Sequence, residues 1–336
     1  MRILICSYAF SPSFGGLEAA SEMLAGAFAR AGHEVAVVTQ SAGLDDVERT
    51  FRVIRQPSIR ELWSLYQWTE VVFQNNLSTR LLWPNLPLAK PCIVTTQTWL
   101  SGASDLNTRT SRLKRAILRR CRNVAISEAV AQHIGHPSIV LGNPYDGETF
   151  RRLPDVQRNG ELLFVGRLVS DKGLDLLLRA LGHLRDTGVP PTLTVVGEGP
   201  DRAENKELVE KLGLGRWVKF VGVVRGTELA RLMNAHRVLV VPSRWAEPFG
   251  IVALEGIACG CVVVGSEAGG LREAIGPCGW TVPNGDVQAL TEMLRRVLGD
   301  PVESEEMRRR AKLHLEKFEL SAISASYLAL FREALR

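Results

Sequence analysis

Glu247 and Glu255 bracket a break in the chain, Pro248-Phe-Gly250, that follows an apolar strand ending in Pro242-Ser243-Arg244. Pro248 and Gly250 separate strand from helix, so the N–H groups of Phe249, Gly250, Ile251 and Val252 open a helix without intrahelical acceptors. Such an end is an anion site suited to a diphosphate. The two carboxylates beside it are suited to accept hydrogen bonds from sugar hydroxyls; an acidic loop plus a solvated helical glutamate is the plainer reading. A second run, Phe164-Val-Gly166-Arg167-Leu-Val-Ser-Asp-Lys172-Gly173, carries a fork-shaped cation and a point charge on one loop after a strand. Arg167 and Lys172 at that spacing can converge on two phosphates and stabilise charge on a departing diphosphate. The alternative is a surface loop with solvated charges.

The first loop of the chain reads Ser13-Phe-Gly15-Gly16-Leu17-Glu18. Paired glycines permit φ > 0 and let a ligand approach the following helix start, although a plain turn has the same composition. Val195-Val196-Gly197-Glu198-Gly199-Pro200 departs from a dinucleotide fingerprint at Pro200 and Arg202, and reads as a strand-end turn near the same ligand. Gly265 to Gly270 and Asn284-Gly285-Asp286 are further loops at that edge. Histidines and carboxylates form no H-x-x-x-H or D-x-D pattern, so no metal is expected, and no Walker loop or G-x-S-x-G elbow occurs.

The elements that must hold these loops alternate. Ile3 to Cys6, Glu34 to Thr39, Val71 to Phe73, Cys92 to Thr95 and Val124 to Ser127 read as strands, with a helix over Leu17 to Ala31. A polar, turn-rich run from Arg151 to Gly160 reads as a linker. Strands then recur at Leu162 to Val165, Leu193 to Val196, Val218 to Val221, Val238 to Val241 and Val262 to Val264. Helices fall at Leu174 to Arg185 and Ile251 to Cys259, and a helical, charged stretch runs from Pro301 to Arg336. This order predicts an α/β chain of two Rossmann-like domains, 1–152 and 160–318, with a helix at 319–336 packing back on the first domain. Ligands of such sheets bind outside the carboxyl ends of the strands, which makes a cleft between the domains the expected site.

A length of 336 residues fits two domains, and 46% hydrophobic with 23% charged residues fits a globular chain. The net charge of +5 does not separate anionic small molecules, membrane surfaces and nucleic acid. The six cysteines are scattered and read as reduced residues of a cytoplasmic protein. The apolar N-terminal run is too short for a signal peptide, and no run is long enough to span a membrane.

Taken in order, these motifs closely resemble family 4 of the retaining glycosyltransferases, which have the GT-B fold. Glu247 to Glu255 matches that family's paired-glutamate element, Gly166-Arg167 to Lys172-Gly173 its basic loop, and Ser127-Glu-Ala-Val130 with Gly142-Asn143 to Asp146 and Phe150 the end of its first domain. The resemblance implies that Arg167 and Lys172 hold the donor diphosphate, with Gly16 touching it from the other domain. It implies that Glu255 binds the ribose, Glu247 the transferred sugar, and the N–H groups of Phe249 to Val252 phosphate and sugar. It further implies metal-free transfer with retention, without a protein nucleophile. The partners would be a nucleotide-sugar donor and a sugar, polyol or lipid-linked acceptor, with no nucleic acid. A catalytically silent nucleotide-sugar-binding partner and a nucleotide-sugar epimerase are the alternative activities.

One position departs from the family. Gln97, after Cys92-Ile-Val-Thr-Thr, stands where members usually carry a histidine; it keeps a hydrogen bond but carries no proton. Gln97 and Trp99 are the expected acceptor or sugar contacts, with Trp63, Tyr66, Trp68 and Trp83 on the same side as further aromatic faces or as ordinary core. The run from Arg109 to Arg122 is basic without an acid, with Leu113, Ile117 and Cys121 as an apolar stripe. Such a helix suits the inner, anionic face of a membrane, or packs as a solvated helix on its own sheet.

Overall fold

The computed structural model describes residues 1–11, 15–43, 48–100, 109–186, 188 and 190–336. They form two compact units, Met1–Pro144 with Phe318–Arg336, and Tyr145–Lys317.

The first unit holds a seven-stranded parallel sheet: β1 (Arg2–Ser7), β2 (Glu34–Thr39), β3 (Arg52–Arg55), β4 (Val71–Asn75), β5 (Cys92–Thr96), β6 (Arg122–Ala125) and β7 (Ile139–Val140), in the order β3-β2-β1-β4-β5-β6-β7. Central strands of a parallel sheet are buried on both faces, which is why they read as unbroken apolar runs. Ile3, Ile5, Val35, Val37, Val71 and Phe73 line one face. Leu4, Cys6, Ala36, Val38 and Val72 line the other, against Leu62 and Tyr66 of the helix Ile59–Trp68. The C-terminal helix Leu320–Ala334 completes the first face. Phe331 lies fully buried, its ring 5.3 Å from Phe28 and 5.7 Å from Phe73, and the Tyr327 hydroxyl is 2.9 Å from Thr95 Oγ1.

The second unit holds β8 (Gly160–Val165), β9 (Leu193–Val196), β10 (Val218–Gly222), β11 (His236–Val241), β12 (Val262–Ser266) and β13 (Gly279–Val282), all parallel, in the order β10-β9-β8-β11-β12-β13. Leu162, Phe164, Val195, Val238 and Val240 pack there with Leu177 and Leu181 of the helix Leu174–Asp186 and with Leu290 and Leu294 of the helix Val287–Gly299.

Three expectations need correction. The first unit ends at Pro144, not at 152, and the run from Arg151 to Gly160 is no free linker. Asn234 accepts the Leu153 N–H (2.8 Å) and donates to the Arg151 carbonyl (2.9 Å), while Arg158 donates to the carbonyls of His236 and Cys259. The helix at 319–336 is not among these: the helical stretch from Pro301 divides at Glu316–Phe318 into Pro301–Leu315, in the second unit, and Leu320–Ala334, in the first. The strand expected over Val124 to Ser127 ends at Ala125, because Ser127 caps the helix Glu128–Ile134 by accepting the Val130 N–H (3.2 Å).

In both sheets the strand order reverses direction once, between β1 and β4 and between β8 and β11. Loops leaving two adjacent strands toward opposite sides open a crevice at that point. In the second unit the loops after β8 and β11 are pressed together. Gly173 adopts φ +67°, and a Cβ there would stand 2.1 Å from the Pro242 carbonyl oxygen. The Asp171 carbonyl accepts the N–H of Arg244 at 2.8 Å across the same seam.

This seam separates two costs of substitution. Gly226 has a similar φ of +54° with no atom within 4 Å of a Cβ. Gly226→Ala should lower the unfolding free energy by about 1 kcal/mol for its left-handed backbone alone. Gly173→Ala should lose at least about twice that in urea denaturation, because the Pro242 loop must also retreat. Equal losses would show that the loop contact adds nothing.

Candidate active site

The β8 loop is built on its neighbour. Gly166 donates its N–H to the Val196 carbonyl (3.0 Å) and Leu168 to the Glu198 carbonyl (2.9 Å), which carries strand pairing past the strand ends. Gly197, at φ +136°, has no room for a Cβ, which would stand 1.9 Å from the Gly166 carbonyl oxygen. Gly197 is therefore needed to seat one loop on the other. Gly166 is not tightly constrained, since an added Cβ would meet the Phe164 ring at 3.5 Å. Arg167 leaves this loop exposed, with no ion pair or side-chain hydrogen bond among the described residues.

Lys172 ends the short 3-10 turn Ser170–Lys172 and places Nζ 2.5 Å from Glu247 Oε1. Ser243, at the end of β11, donates its hydroxyl to the same oxygen at 2.7 Å. Glu247 is thus oriented by a cation from one loop and a hydroxyl from the next, and its side chain is only 12% exposed. The ammonium uses one donor in this pair and has two more for a ligand. On the far side, the Glu247 carbonyl accepts the Gly270 N–H at 2.7 Å. Asn284 then joins three loops, donating to the Ser243 carbonyl and accepting the Ala268 N–H, each at 2.9 Å. Sequence reasoning placed Ser243 at a strand end and Asn284 in a loop at the same edge, and gave neither its supporting role. Asn284 sits in an Asn-Gly turn, where the side chain's reach is not visible from composition. Arg244 grips Asp175 with both guanidinium nitrogens, Nη2 lying 2.6 Å from Oδ2.

The helix Ile251–Ala258 begins behind Glu247. Its cap, Gly250, has φ +116°, and a Cβ would lie 2.6 Å from Leu271 Cδ1, so the sharp entry requires glycine. At such a start the N–H groups of Ile251 and Val252 lack intrahelical acceptors. Phe249 is buried at 3% exposure and anchors the loop. Glu255 follows on the helix. It is not the solvated glutamate of the plainer reading: burial, and then the nearby charge of Asp146, push its carboxyl up to about 7.

In the first unit the helix Gly16–Arg30 starts at the Gly15-Gly16 pair, while Ser13 and Phe14 lie outside the described residues. The expected positive φ is absent: Gly15 is extended at −178°, and neither glycine is in the left-handed region. What the pair offers is a helix start without a side chain. Gln97 does not present a free amide to a sugar. It donates to Asn75 Oδ1 (2.8 Å) and Asn143 Oδ1 (2.9 Å), and accepts from Asn143 Nδ2 (2.7 Å). Trp99 is half-buried, its ring edge-on to His133 at 5.1 Å. Trp63 stacks on Trp83 at 6.1 Å, and Tyr66 lies in the core with its hydroxyl on the Leu81 carbonyl (2.8 Å). The basic helix spans Arg109–Leu118. Its anchor is the fully buried Leu118; Leu113, four residues before Ile117 on the same helix, is 54% exposed, and Cys121 lies past its end. The Cys121 thiol hydrogen-bonds that of Cys92, and all six cysteines are unoxidised.

Among the described residues no cluster of three His, Cys, Asp or Glu side chains is arranged to hold a metal, and no helix is long and apolar enough to cross a membrane.

A two-sheet α/β chain with basic loops and a helix start at a strand-order reversal has the architecture of GT-B glycosyltransferases. A solved structure of Anabaena HepE in complex with UDP and glucose has a TM-score of 0.82 at 21% identity, over 99% of this chain and 100% of that one; this likeness establishes the fold. The family description "Glycosyl transferases group 1" matches residues 147–314, half of the chain. The chain belongs to that family. It is 40% identical over 157 residues to a glycogen synthase of Mycobacterium tuberculosis, and 35% identical over 217 residues to a D-inositol 3-phosphate glycosyltransferase of Catenulispora acidiphila. These matches cover 46% and 60% of this chain but only 38% and 52% of those relatives.

Glu255 yields a pH-dependent prediction. Its carboxyl titrates near 7 when folded and near its ordinary 4.5 when unfolded, so between those values the folded chain holds the proton more tightly. Stability is then lost as pH rises through this window. Glu255→Gln should match the parent below pH 4.5, exceed it above pH 7, and flatten the slope between. Parallel pH profiles of unfolding for parent and variant would contradict the raised carboxyl.

Proposed function

We propose that this chain transfers a glycosyl group from a nucleoside-diphosphate sugar to a hydroxyl of a sugar, polyol or lipid-linked acceptor, with retention at the anomeric carbon and without a metal ion. The observation that carries the reading is the convergence at the carboxyl ends of β8 and β11. Lys172 and Glu247 meet there, Arg167 is unpaired, and the helix at Gly250 opens beside them. Positive charge from Arg167, Lys172 and the N–H groups of Ile251 and Val252 would neutralise the diphosphate as its bond to the sugar breaks. Glu247, held by Lys172 and Ser243, is oriented to accept hydroxyl hydrogen bonds from the sugar. Glu255 would take the ribose, since hydroxyl donors favour the charged carboxylate that its surroundings otherwise disfavour. Retention and metal independence rest on the resemblance to family 4. The glycosyltransferase names of the relatives, and the UDP and glucose in the Anabaena complex, support the donor class.

The direct test incubates purified protein with a panel of nucleoside-diphosphate sugars and candidate acceptors, with and without EDTA. Retained glycoside and free nucleoside diphosphate, insensitive to EDTA, are expected; an epimerised donor formed without acceptor, or no consumption of any donor, would overturn the reading. Arg167→Ala and Lys172→Ala should each lower turnover by a factor on the order of 10². Unchanged turnover in both variants would remove these cations from the site.

A further inference from the structure

One face of the first unit carries exposed apolar side chains and unpaired cations together. Leu62 and Tyr66 of the helix Ile59–Trp68 pack on the sheet face of Leu4, Cys6 and Val72, and Leu81, Leu88 and Cys92 pack there with them. The short helices Thr79–Leu82 and Asn85–Leu88 therefore lie on that face. The basic helix Arg109–Leu118 joins them. β4, β5 and β6 are successive parallel neighbours, so the right-handed crossovers between them fall on one side of the sheet. The thiol of Cys121, just past the basic helix, bonds that of Cys92 on the same side.

The apolar part of this face is continuous. Ile59 and Trp63 stand one helical turn apart, and Trp63 stacks on Trp83 with ring centroids 6.1 Å apart. The Leu86 N–H donates to the Trp83 carbonyl at 3.2 Å, one turn further on. Ile59 is 73% exposed, Leu86 69% and Trp83 37%, and Leu113 projects from the basic helix at 54%. Contiguous apolar strips of this kind mark surfaces that meet something other than water. The charge is as uneven. Residues 71–127 hold nine lysines and arginines against one acid, Asp105, which lies outside the described residues. That excess is larger than the net +5 of the whole chain, so the remainder is net negative. Arg80, Arg112, Arg119 and Arg120 are exposed and have no ion pair or side-chain hydrogen bond among the described residues.

We propose that this face docks the chain on an anionic phospholipid surface. Ile59, Trp83 and Leu86 enter the interfacial layer, and Arg80, Arg112, Arg119 and Arg120 meet the lipid phosphates. Tryptophan rings favour the headgroup level of a bilayer, aliphatic side chains the layer beneath it, and cations its anionic surface. Nucleic acid matches the cations and the rings but offers no apolar layer to Ile59, Leu86 and Leu113. A second copy of the chain matches the apolar strip, but a two-fold interface sets the patch against itself and brings like charges together. The inference does not depend on the proposed transfer reaction.

Sedimentation with vesicles of phosphatidylcholine alone, and of phosphatidylcholine mixed with phosphatidylglycerol, tests the proposal, with tryptophan emission read on the same samples. The protein should bind the mixed vesicles and not the neutral ones, more weakly as salt rises, and its emission should shift to the blue as Trp83 leaves water. Leu86→Gln should lower partition onto the mixed vesicles about tenfold, the scale of withdrawing one leucine from the apolar layer. Arg112→Gln combined with Arg119→Gln and Arg120→Gln should lower it about a hundredfold. All four side chains are exposed, so both variants should keep the melting temperature of the parent, which separates lost docking from lost folding. Equal binding to neutral and mixed vesicles would overturn the proposal, as would binding that neither variant weakens. Association with mixed vesicles that leaves the emission and the Leu86→Gln variant unchanged would reduce it to charge attraction without insertion, and overturn it too. Tighter binding to a DNA or RNA duplex than to the mixed vesicles at the same salt would assign the face to nucleic acid instead. A concentration-dependent dimer abolished by Leu86→Gln would assign it to a second copy.

Discussion

The candidate site depends on the loops after β8 and β11 touching where the strand order reverses. The contact is close: Gly173 is needed at φ +67° because the Pro242 carbonyl occupies the space of a side chain. Once the loops are seated, Lys172 and Glu247 follow without further adjustment, one residue before the contact on one loop and five after it on the other. An ammonium and a carboxylate at 2.5 Å, largely withdrawn from water, would otherwise carry a desolvation cost. Ser243 offsets part of that cost by donating to the same carboxylate oxygen, and the partial exposure of Lys172 leaves the cation accessible to an anion. The same logic extends outward. Gly197 seats the β9 loop on Gly166, Gly269 and Gly270 seat the β12 loop on Glu247, and Asn284 ties the β13 loop to both sides.

Function appears as local violations of the burial rule. Ser7, Asn75, Thr96, Gln97 and Ser243 are polar residues at the carboxyl ends of otherwise apolar strands, all buried. Ser7, Asn75, Gln97 and Ser243 each bond to a neighbouring loop or helix at the edge where ligands of open α/β sheets bind, whereas the Thr96 hydroxyl has no partner among the described residues. Glu255 departs further, because its surroundings favour the protonated form near neutral pH. A residue held at a stability disadvantage is well suited to a ligand whose hydroxyls favour the charged form.

Much of this was legible in the sequence, for identifiable reasons. Parallel strands buried on both faces are continuous apolar runs, so β2 and β9 were located to the residue and β8 and β11 to within two. The basic loop and the paired glutamates were visible because charges directly after an apolar strand have few places to go but the sheet edge. Three of the four edge strands were missed: Arg52–Arg55 is flanked by charge and only half-buried, Ile139–Val140 is too short to show a period, and Gly279–Val282 opens on a glycine and buries only its last residue. The domain boundary was misplaced because a polar run resembles a linker until Asn234 and Arg158, remote in sequence, are known to hold it. The hydrogen bonds of Gln97 were hidden for the same reason. Its partners lie 22 and 46 positions away: the pairing of β4 with β5 brings Asn75 to it, and the pairing of β5 with β6 and of β6 with β7 brings Asn143.

The central claim is that the β8 and β11 loops recognise a diphosphate. Affinities of nucleoside, monophosphate and diphosphate, measured by calorimetry in the uridine, guanosine and adenosine series at two salt concentrations, test it most directly. The account predicts that in the series that binds, affinity rises steeply with the second phosphate, weakens with salt, and falls to the monophosphate level in Lys172→Met protein. Equal affinity for nucleoside and diphosphate, or a Lys172→Met variant that binds the diphosphate like the parent, would contradict it.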